Sequence, residues 1–203
     1  MRLKIRVPLT AIALLLCACT GAQAEPRASS PPAPAPSATS SSSTGAAVAC
    51  TGRATPAETE GPYFKAGSPE RRSLLEPGLS GTRLLLTGVV TTADCKPVAG
   101  AVLDFWQADA AGRYDNSGWR LRGHQQTDAE GKYSLETVVP GEYPGRTVHI
   151  HVKVQAPSSQ VLTTQLYFPG VGRNQQDSIF NPDLLMQVRD GEAGKAATFN
   201  FVV

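Results

Sequence analysis

Two of the three histidines in this 203-residue chain stand two positions apart, in Tyr143-Pro144-Gly145-Arg146-Thr147-Val148-His149-Ile150-His151. In an extended strand, side chains at i and i+2 share a face, so His149 and His151 point one way and Ile150 the other. Both imidazoles can then reach one metal ion. The pair alone is a weak signal, because a strand histidine is usually just a satisfied polar group. A tetrahedral zinc site needs another Cys, His or carboxylate, and a two-histidine iron site needs an Asp or Glu. Neither is obvious nearby. The chain offers phenols instead: Tyr143, six residues before His149, and Tyr114 in Ala111-Gly112-Arg113-Tyr114-Asp115-Asn116, on a loop after a strand. A free Tyr titrates near ~10, so only a strongly Lewis-acidic ion makes it a phenolate at neutral pH, and ferric iron suits oxygen donors. Two tyrosines with two histidines therefore favour iron(III). Read singly, Tyr114 is equally well a turn aromatic, Tyr143 a cross-strand packing residue and Arg146 a surface charge.

The elements that must position these residues are strands. After Cys50 the chain consists of short alternating apolar runs separated by Gly, Pro and Asp, with no long helical period. Strands are predicted over Arg83–Thr92, Ala101–Gln107, Lys132–Val138, Thr147–Gln155, Val161–Phe168 and Ala197–Val203. The turns Asp128-Ala129-Glu130-Gly131 and Ala93-Asp94-Cys95-Lys96-Pro97 carry the side-chain caps and the Gly or Pro that tight turns use. This pattern predicts an all-β domain, a two-sheet β-sandwich of prealbumin or Ig-like type with long active-site loops. One short peripheral helix is predicted over Pro182–Arg189, with Asn181 as its N-cap. Trp106, in an apolar strand, reads as core, and Trp119 and Tyr63 as the rim of a pocket. His124 falls outside the metal pattern, either lining the pocket or facing solvent.

Residues before the domain read as an address and a tether. Arg2, Lys4 and Arg6 precede an apolar run through Leu16 that is short for a membrane span. Leu16-Cys17-Ala18-Cys19 looks like a bacterial lipobox, which makes 1–19 a lipoprotein-type signal peptide with Cys19 lipidated. The alternative is cleavage after Ala22-Gln23-Ala24 and release of a soluble protein. Residues 20–50, rich in Ser, Ala and Pro, are expected to be a disordered linker, and 51–203 the catalytic domain. Either route exports the domain to an oxidising compartment, where Cys50 and Cys95 either pair or remain two buried thiols. The first 50 residues hold four of the 19 basic and one of the 17 acidic residues, leaving 15 basic and 16 acidic for the domain. A near-neutral domain removes the electrostatic argument for a nucleic-acid partner and suits a small ligand.

Several separate motifs make the chain resemble the intradiol ring-cleavage dioxygenases, the family of catechol, hydroxyquinol and protocatechuate dioxygenases. They are Thr59-Glu60-Gly61-Pro62-Tyr63-Phe64, Asp104-Phe105-Trp106-Gln107-Ala108 running to Gly112-Arg113-Tyr114, the Tyr143-to-His151 stretch, and Thr164-Gln165-Leu166-Tyr167-Phe168. The resemblance implies one Fe(3+) per chain held by Tyr114, Tyr143, His149 and His151. It further implies Arg146 as the cationic catalytic residue, Gln165 as its supporting amide and Tyr143 as the displaceable ligand. The implied reaction opens a catechol-type ring with O2 to a muconate-type dicarboxylate, a step of aromatic catabolism. Between Cys50 and Arg83 there is no room for the helical dimerisation domain of the catechol enzymes, so their oligomeric state is not implied. A second resemblance, of Leu86-Thr87-Gly88-Val89-Val90 through Pro140-Gly141-Glu142-Tyr143 to carboxypeptidase-regulatory-like and transthyretin-related modules, implies the same sandwich without catalysis. Such modules have no reason to carry the His-x-His pair together with Tyr114 and Arg146.

Overall fold

A computed structural model describes residues 50–203. The expected signal peptide, the lipidation candidate Cys19 and the linker up to residue 49 lie outside the described residues. Nine strands follow in chain order: β1 (Arg83–Thr91), β2 (Val102–Trp106), β3 (Arg122–Gln126), β4 (Lys132–Val138), β5 (His149–Gln155), β6 (Leu162–Tyr167), β7 (Gln187–Gly191), β8 (Gly194–Thr198) and β9 (Phe201–Val202). They form the expected two sheets. One has the order β4-β1-β8-β7, with β9 also on β1, and the other β3-β2-β5-β6. Pairing is antiparallel except where β1 meets β8 and β9.

The sandwich forms because its core strands alternate. In β1, Leu84, Leu86 and Val90 point inward while Arg83 and Leu85 face out. Across the core they meet Leu103 and Phe105 of β2, Ile150, Val152 and Val154 of β5, and Leu166 of β6. Burying each such side chain stabilises the fold by about 1.5–3 kcal/mol. Ile150 is thus the inward residue that fixes the phase of β5 and turns His149 and His151 to the opposite face.

That opposite face is not solvated, because the chain before β1 crosses it. Glu58 N–H bonds Thr163 O at 2.8 Å, and residues 69–74 then stitch the two sheets together. Arg71 N–H reaches His124 O (2.8 Å) and His124 N–H reaches Pro69 O (3.0 Å) on β3. Leu74 N–H reaches Glu136 O (2.8 Å) and Glu136 N–H reaches Arg72 O (2.9 Å) on β4. The stitch pairs two edge strands that would otherwise present free backbone. At its start this segment is held by a disulfide: Cys50 is bonded to Cys95, with Cα atoms 5.8 Å apart. The last residue of the expected linker is therefore covalently fixed to the turn after β1.

Three expectations need correction. Strand β3, Arg-Gly-His-Gln-Gln, has no apolar alternation, since its inward side is Gly123 and buried Gln125 and its outward side Arg122 and His124. The predicted C-terminal strand is two strands, β8 and β9, with a break at Phe199-Asn200. The predicted helix over Pro182–Arg189 is one 3-10 turn, Pro182–Leu184. Asn181 does cap it, accepting from Asp183 N–H at 3.0 Å. Extended backbone then resumes because Leu185 bridges Tyr167 and Met186 N–H bonds Tyr167 O at 2.9 Å. Tertiary pairing overrides the local start signal. Among the described residues no helix is long and apolar enough to cross a membrane.

Candidate metal centre

His149 and His151 sit at the start of β5, 3 % and 1 % exposed, with their Nε2 atoms 3.0 Å apart. His149 Nδ1 lies 2.6 Å from Thr147 O. A carbonyl oxygen only accepts, so Nδ1 carries the proton and Nε2 keeps its lone pair. Burial pushes the His149 pKa down to about 4, and burial together with the neighbouring His149 and the Arg146 and Arg122 charges pushes His151 well below the usual histidine range. Two neutral imidazoles thus aim adjacent nitrogens at one place. His151 is held flat: Trp106, paired with it across β2 and β5, stacks on its ring at 4.8 Å and 6°. Phe64 covers Trp106 edge-on at 4.9 Å. Trp106 is therefore core, as expected, and also the wall behind a candidate ligand. Gly61, with φ of +69°, passes so close that a Cβ there would stand 3.3 Å from His151 Cε1.

Tyr114 and Tyr143 arrive on two loops that are bolted together. Asp109 caps the first loop by accepting Ala111 N–H and Arg113 N–H, both at 2.9 Å. Asp109 O then accepts Gly141 N–H of the second loop at 2.8 Å. At Gly112, φ +77°, a Cβ would stand 2.0 Å from Glu142 O, so only glycine lets the loops approach this closely. The two phenol rings meet edge-on at 5.7 Å, Tyr143 lies 5.6 Å from the His149 ring, and Tyr114 lies 6.3 Å from His151. Tyr63 of the crossing segment stacks face to face on Tyr114 at 4.3 Å. The Tyr114 hydroxyl is buried and has no hydrogen-bond partner. A buried hydroxyl left unpaired costs about 1–3 kcal/mol, so one without a partner among the described residues, on a ring close to Tyr143 and His151, fits a position that could hold a cation. Burial pushes both phenols up in pKa, and the Arg146 charge pulls both the other way.

Arg146 joins this group from the loop before β5. Its Nη1 lies 3.4 Å from the Tyr143 hydroxyl, and its Nη2 donates to Gln165 Oε1. Gln165 is fixed in turn by donating to Thr59 O at 2.8 Å and accepting from the Tyr167 hydroxyl at 3.1 Å. The structure thus brings together Tyr114, Tyr143, His149, His151, Arg146, Gln165 and Tyr63. Trp119 stands apart, 37 % exposed, with the Lys65 ammonium 4.2 Å from its ring centre. His124 is half-buried, with Nδ1 3.1 Å from Ser68 Oγ, and lies further along the sheet face.

Sequence reasoning missed two charged residues at this site. Arg122, 1 % exposed, donates to Asp115 O through Nε (3.0 Å) and Nη2 (2.9 Å) and to Tyr63 O through Nη1 (2.6 Å). It ties the chain on either side of the Tyr63–Tyr114 stack to β3. Asp177 pairs with Arg146, Nε to Oδ2, at 2.9 Å. Arg122 had one available signal: it stands at i and His124 at i+2, which share a strand face.

The donor set fits a hard, highly charged cation. Two phenols, two neutral imidazoles and a nearby guanidinium make a poor zinc site and a good ferric one. Among the described residues no group of three His, Cys, Asp or Glu side chains offers an alternative. A family model described as a dioxygenase matches residues 59–203, and the chain belongs to the intradiol ring-cleavage dioxygenase family. Membership favours the first of the two resemblances over the non-catalytic module. The chain is 35 % identical over 170 residues to catechol 1,2-dioxygenase 2 of Acinetobacter lwoffii, covering 70 % of this chain and 62 % of that protein. Among solved structures, the dioxygenase domain of a dioxygenase–carbohydrate-binding protein fusion from the cellulolytic bacterium Streptomyces sp. SirexAA-E is 54 % identical. It aligns with a TM-score of 0.73 over 74 % of this chain and 98 % of that one. The 3-chlorocatechol 1,2-dioxygenase of Rhodococcus opacus 1CP aligns at 29 % identity and TM-score 0.70, over 75 % and 73 %.

Proposed function

We propose that this chain is a non-haem iron(III) intradiol dioxygenase that opens catechol-type rings with O2 to muconate-type dicarboxylates, both oxygen atoms ending in the product. The observation that carries the reading is the partnerless Tyr114 hydroxyl buried beside two imidazoles whose Nε2 atoms are 3.0 Å apart. Tyr114, Tyr143, His149 and His151 would hold one Fe(3+), which when bound supplies Lewis-acid activation of the diol.

The protein's own residues divide the remaining work. Tyr114, clamped under Tyr63 and by the loop bolts, stays in place. Tyr143, more open and beside Arg146, would as a phenolate be the base whose Oη takes a proton from an incoming hydroxyl. Arg146 faces the negative charge that develops on the ring, and Gln165 holds its far edge. A preorganised cation in a poorly hydrated pocket is worth several kcal/mol. Trp106 and Phe64 keep water from behind His151, and Tyr63 borders the substrate.

The reading extends to location. The Cys50–Cys95 disulfide suits an oxidising compartment, in line with the leader and with a lipid on Cys19 or release after Ala24. Catechols met outside the cell, such as plant- or lignin-derived ones, are then first candidates, with catechol, hydroxyquinol and protocatechuate beside them. The related domain fused to a carbohydrate-binding protein in a cellulolytic bacterium points the same way. Purified protein supplied with iron is expected to be red from tyrosinate-to-iron charge transfer, to shift its band on adding a catechol, and to consume O2 with it. A colourless, iron-free product after iron supply overturns the proposal.

A further inference from the structure

We infer that Asp177 is the positioning residue that aims Arg146 at the substrate ring, a role that rests on the proposed function. Asp177 follows the 3-10 turn Gly172–Gln176 and is far in sequence from every candidate ligand, yet its side chain is only 1 % exposed. Its Oδ2 receives two donors, Arg146 Nε and Thr147 N–H, each at 2.9 Å. Its Oδ1 receives Ile179 N–H at 3.2 Å. The same turn grips the loop a second time through Asn174, whose Oδ1 accepts from Thr147 Oγ1 at 2.6 Å and whose Nδ2 donates to Phe168 O at 2.9 Å.

The choice of Nε matters. A guanidinium is a rigid plane with donors on fixed edges. Holding its Nε–H on a carboxylate leaves Nη1 and Nη2 to other partners, Nη1 to the Tyr143 hydroxyl at 3.4 Å and Nη2 to Gln165 Oε1 and the Tyr167 hydroxyl at 3.5 Å. Gln165 and Tyr167 take Nη2, so the Arg146 plane is held at Nε by an anion and at Nη2 by neutral oxygens. Only its Nη1 side, beside Tyr143, is loosely held. That is where the plane presents charge to a ligand replacing the phenol.

A plain structural staple would need less. An Asn in place of Asp177 could still accept Thr147 N–H or Ile179 N–H, but its neutral amide would not hold the guanidinium in this pose. Replacing charge by amide therefore separates aiming from stapling.

The test compares Asp177→Asn, Asp177→Glu and Arg146→Ala, singly and combined, all iron-loaded. For Asp177→Asn, kcat is expected to fall about 10- to 100-fold while catechol affinity, titrated optically without oxygen, changes less than about threefold. Iron content and the charge-transfer band should match wild type. In the Arg146→Ala background the same change should cost less than about twofold, since the residue acts through Arg146. Asp177→Glu, which keeps the charge but moves it by one methylene, should also lower kcat with iron retained, and decides the matter if Asp177→Asn does not fold. Wild-type kcat in a folded variant, an equal loss in both backgrounds, or loss of iron on substitution overturns the inference. A wild-type protein that binds iron yet consumes no O2 with any catechol instead overturns the functional reading on which it stands.

Discussion

Two regions on one face of the β3-β2-β5-β6 sheet invite comparison. At one end stand His149 and His151, with Trp106, Gln165 and Tyr167 on the same face. A few residues along, at the other end, stand Asp104, His124 and Lys153, paired across the same strands. The same crossing segment covers both, giving Gly61, Tyr63 and Phe64 to the first and Ser68 to the second. Both are polar and at least half-buried. They differ in how their polar atoms are satisfied. At the far end Ser68 Oγ donates to Asp104 Oδ1 at 2.8 Å, and with its one proton so used it accepts from His124 Nδ1 at 3.1 Å. At the near end the Tyr114 hydroxyl, His151 Nδ1 and Trp106 Nε1 have no partner among the described residues. Histidine on a covered sheet face is thus compatible with a closed hydrogen-bond chain and with a candidate metal site, and the unpaired Tyr114 hydroxyl near the facing Nε2 atoms sets the second apart.

Breaking the near end should have the largest effect. Replacing His149 or His151 by Ala removes a proposed direct ligand, where even changes outside the ligand shell commonly cost about 10- to 100-fold. Loss of iron by metal analysis and loss of the red band are expected, with O2 uptake down more than about 100-fold. Next is the far end. Ser68→Ala leaves half-buried Asp104 without its donor and is expected to lower unfolding free energy by about 1 kcal/mol in denaturant titration. Iron content and the charge-transfer band should stay at wild-type values. If Ser68→Ala instead empties the metal site, the two ends are coupled and the contrast fails.

The smallest effect sharpens the contrast through pH. Burial raises the Asp104 pKa above its ordinary 3.8, against the pull of the Ser68 hydrogen bond and the His124 charge. Ionisation therefore costs the folded state more than the unfolded chain. The stability this carboxyl contributes is fully present below its unfolded pKa and is lost as pH rises through its folded pKa. Asp104→Asn cannot ionise, so thermal melts should show the variant gaining on wild type as pH rises from about 4 to 7. A constant difference across that range would mean the carboxyl is not destabilised by burial.

Much of this was legible in the residues. The period-2 alternation of Arg83–Thr91, Lys132–Val138 and His149–Gln155 placed those strands within a residue or two. Strand phase put His149 and His151 on one face. Strand β3 escaped because its inward positions are Gly and Gln and its outward ones Arg and His, leaving no apolar period. The helix predicted after Asn181 failed because a cap starts a helix but cannot extend it against Leu185 pairing with Tyr167. Asp177 gave no signal and Arg122 only its shared strand face with His124, because each is a charged residue whose role rests on a contact distant in sequence, Arg146 for one and Tyr63 for the other.

The sequence by itself determined the donor types, two phenols and two imidazoles, the shared face of the histidines, and the all-β sandwich behind them. These follow from local backbone geometry, in which a strand alternates whatever lies across from it. Only the tertiary structure decided which polar atoms found partners. It closed the chain from Ser68 to Asp104 and His124, left the Tyr114 hydroxyl alone, stacked Trp106 on His151 and set Asp177 behind Arg146. Satisfaction of a buried polar group depends on everything packed around it, and that neighbourhood exists only once distant segments meet.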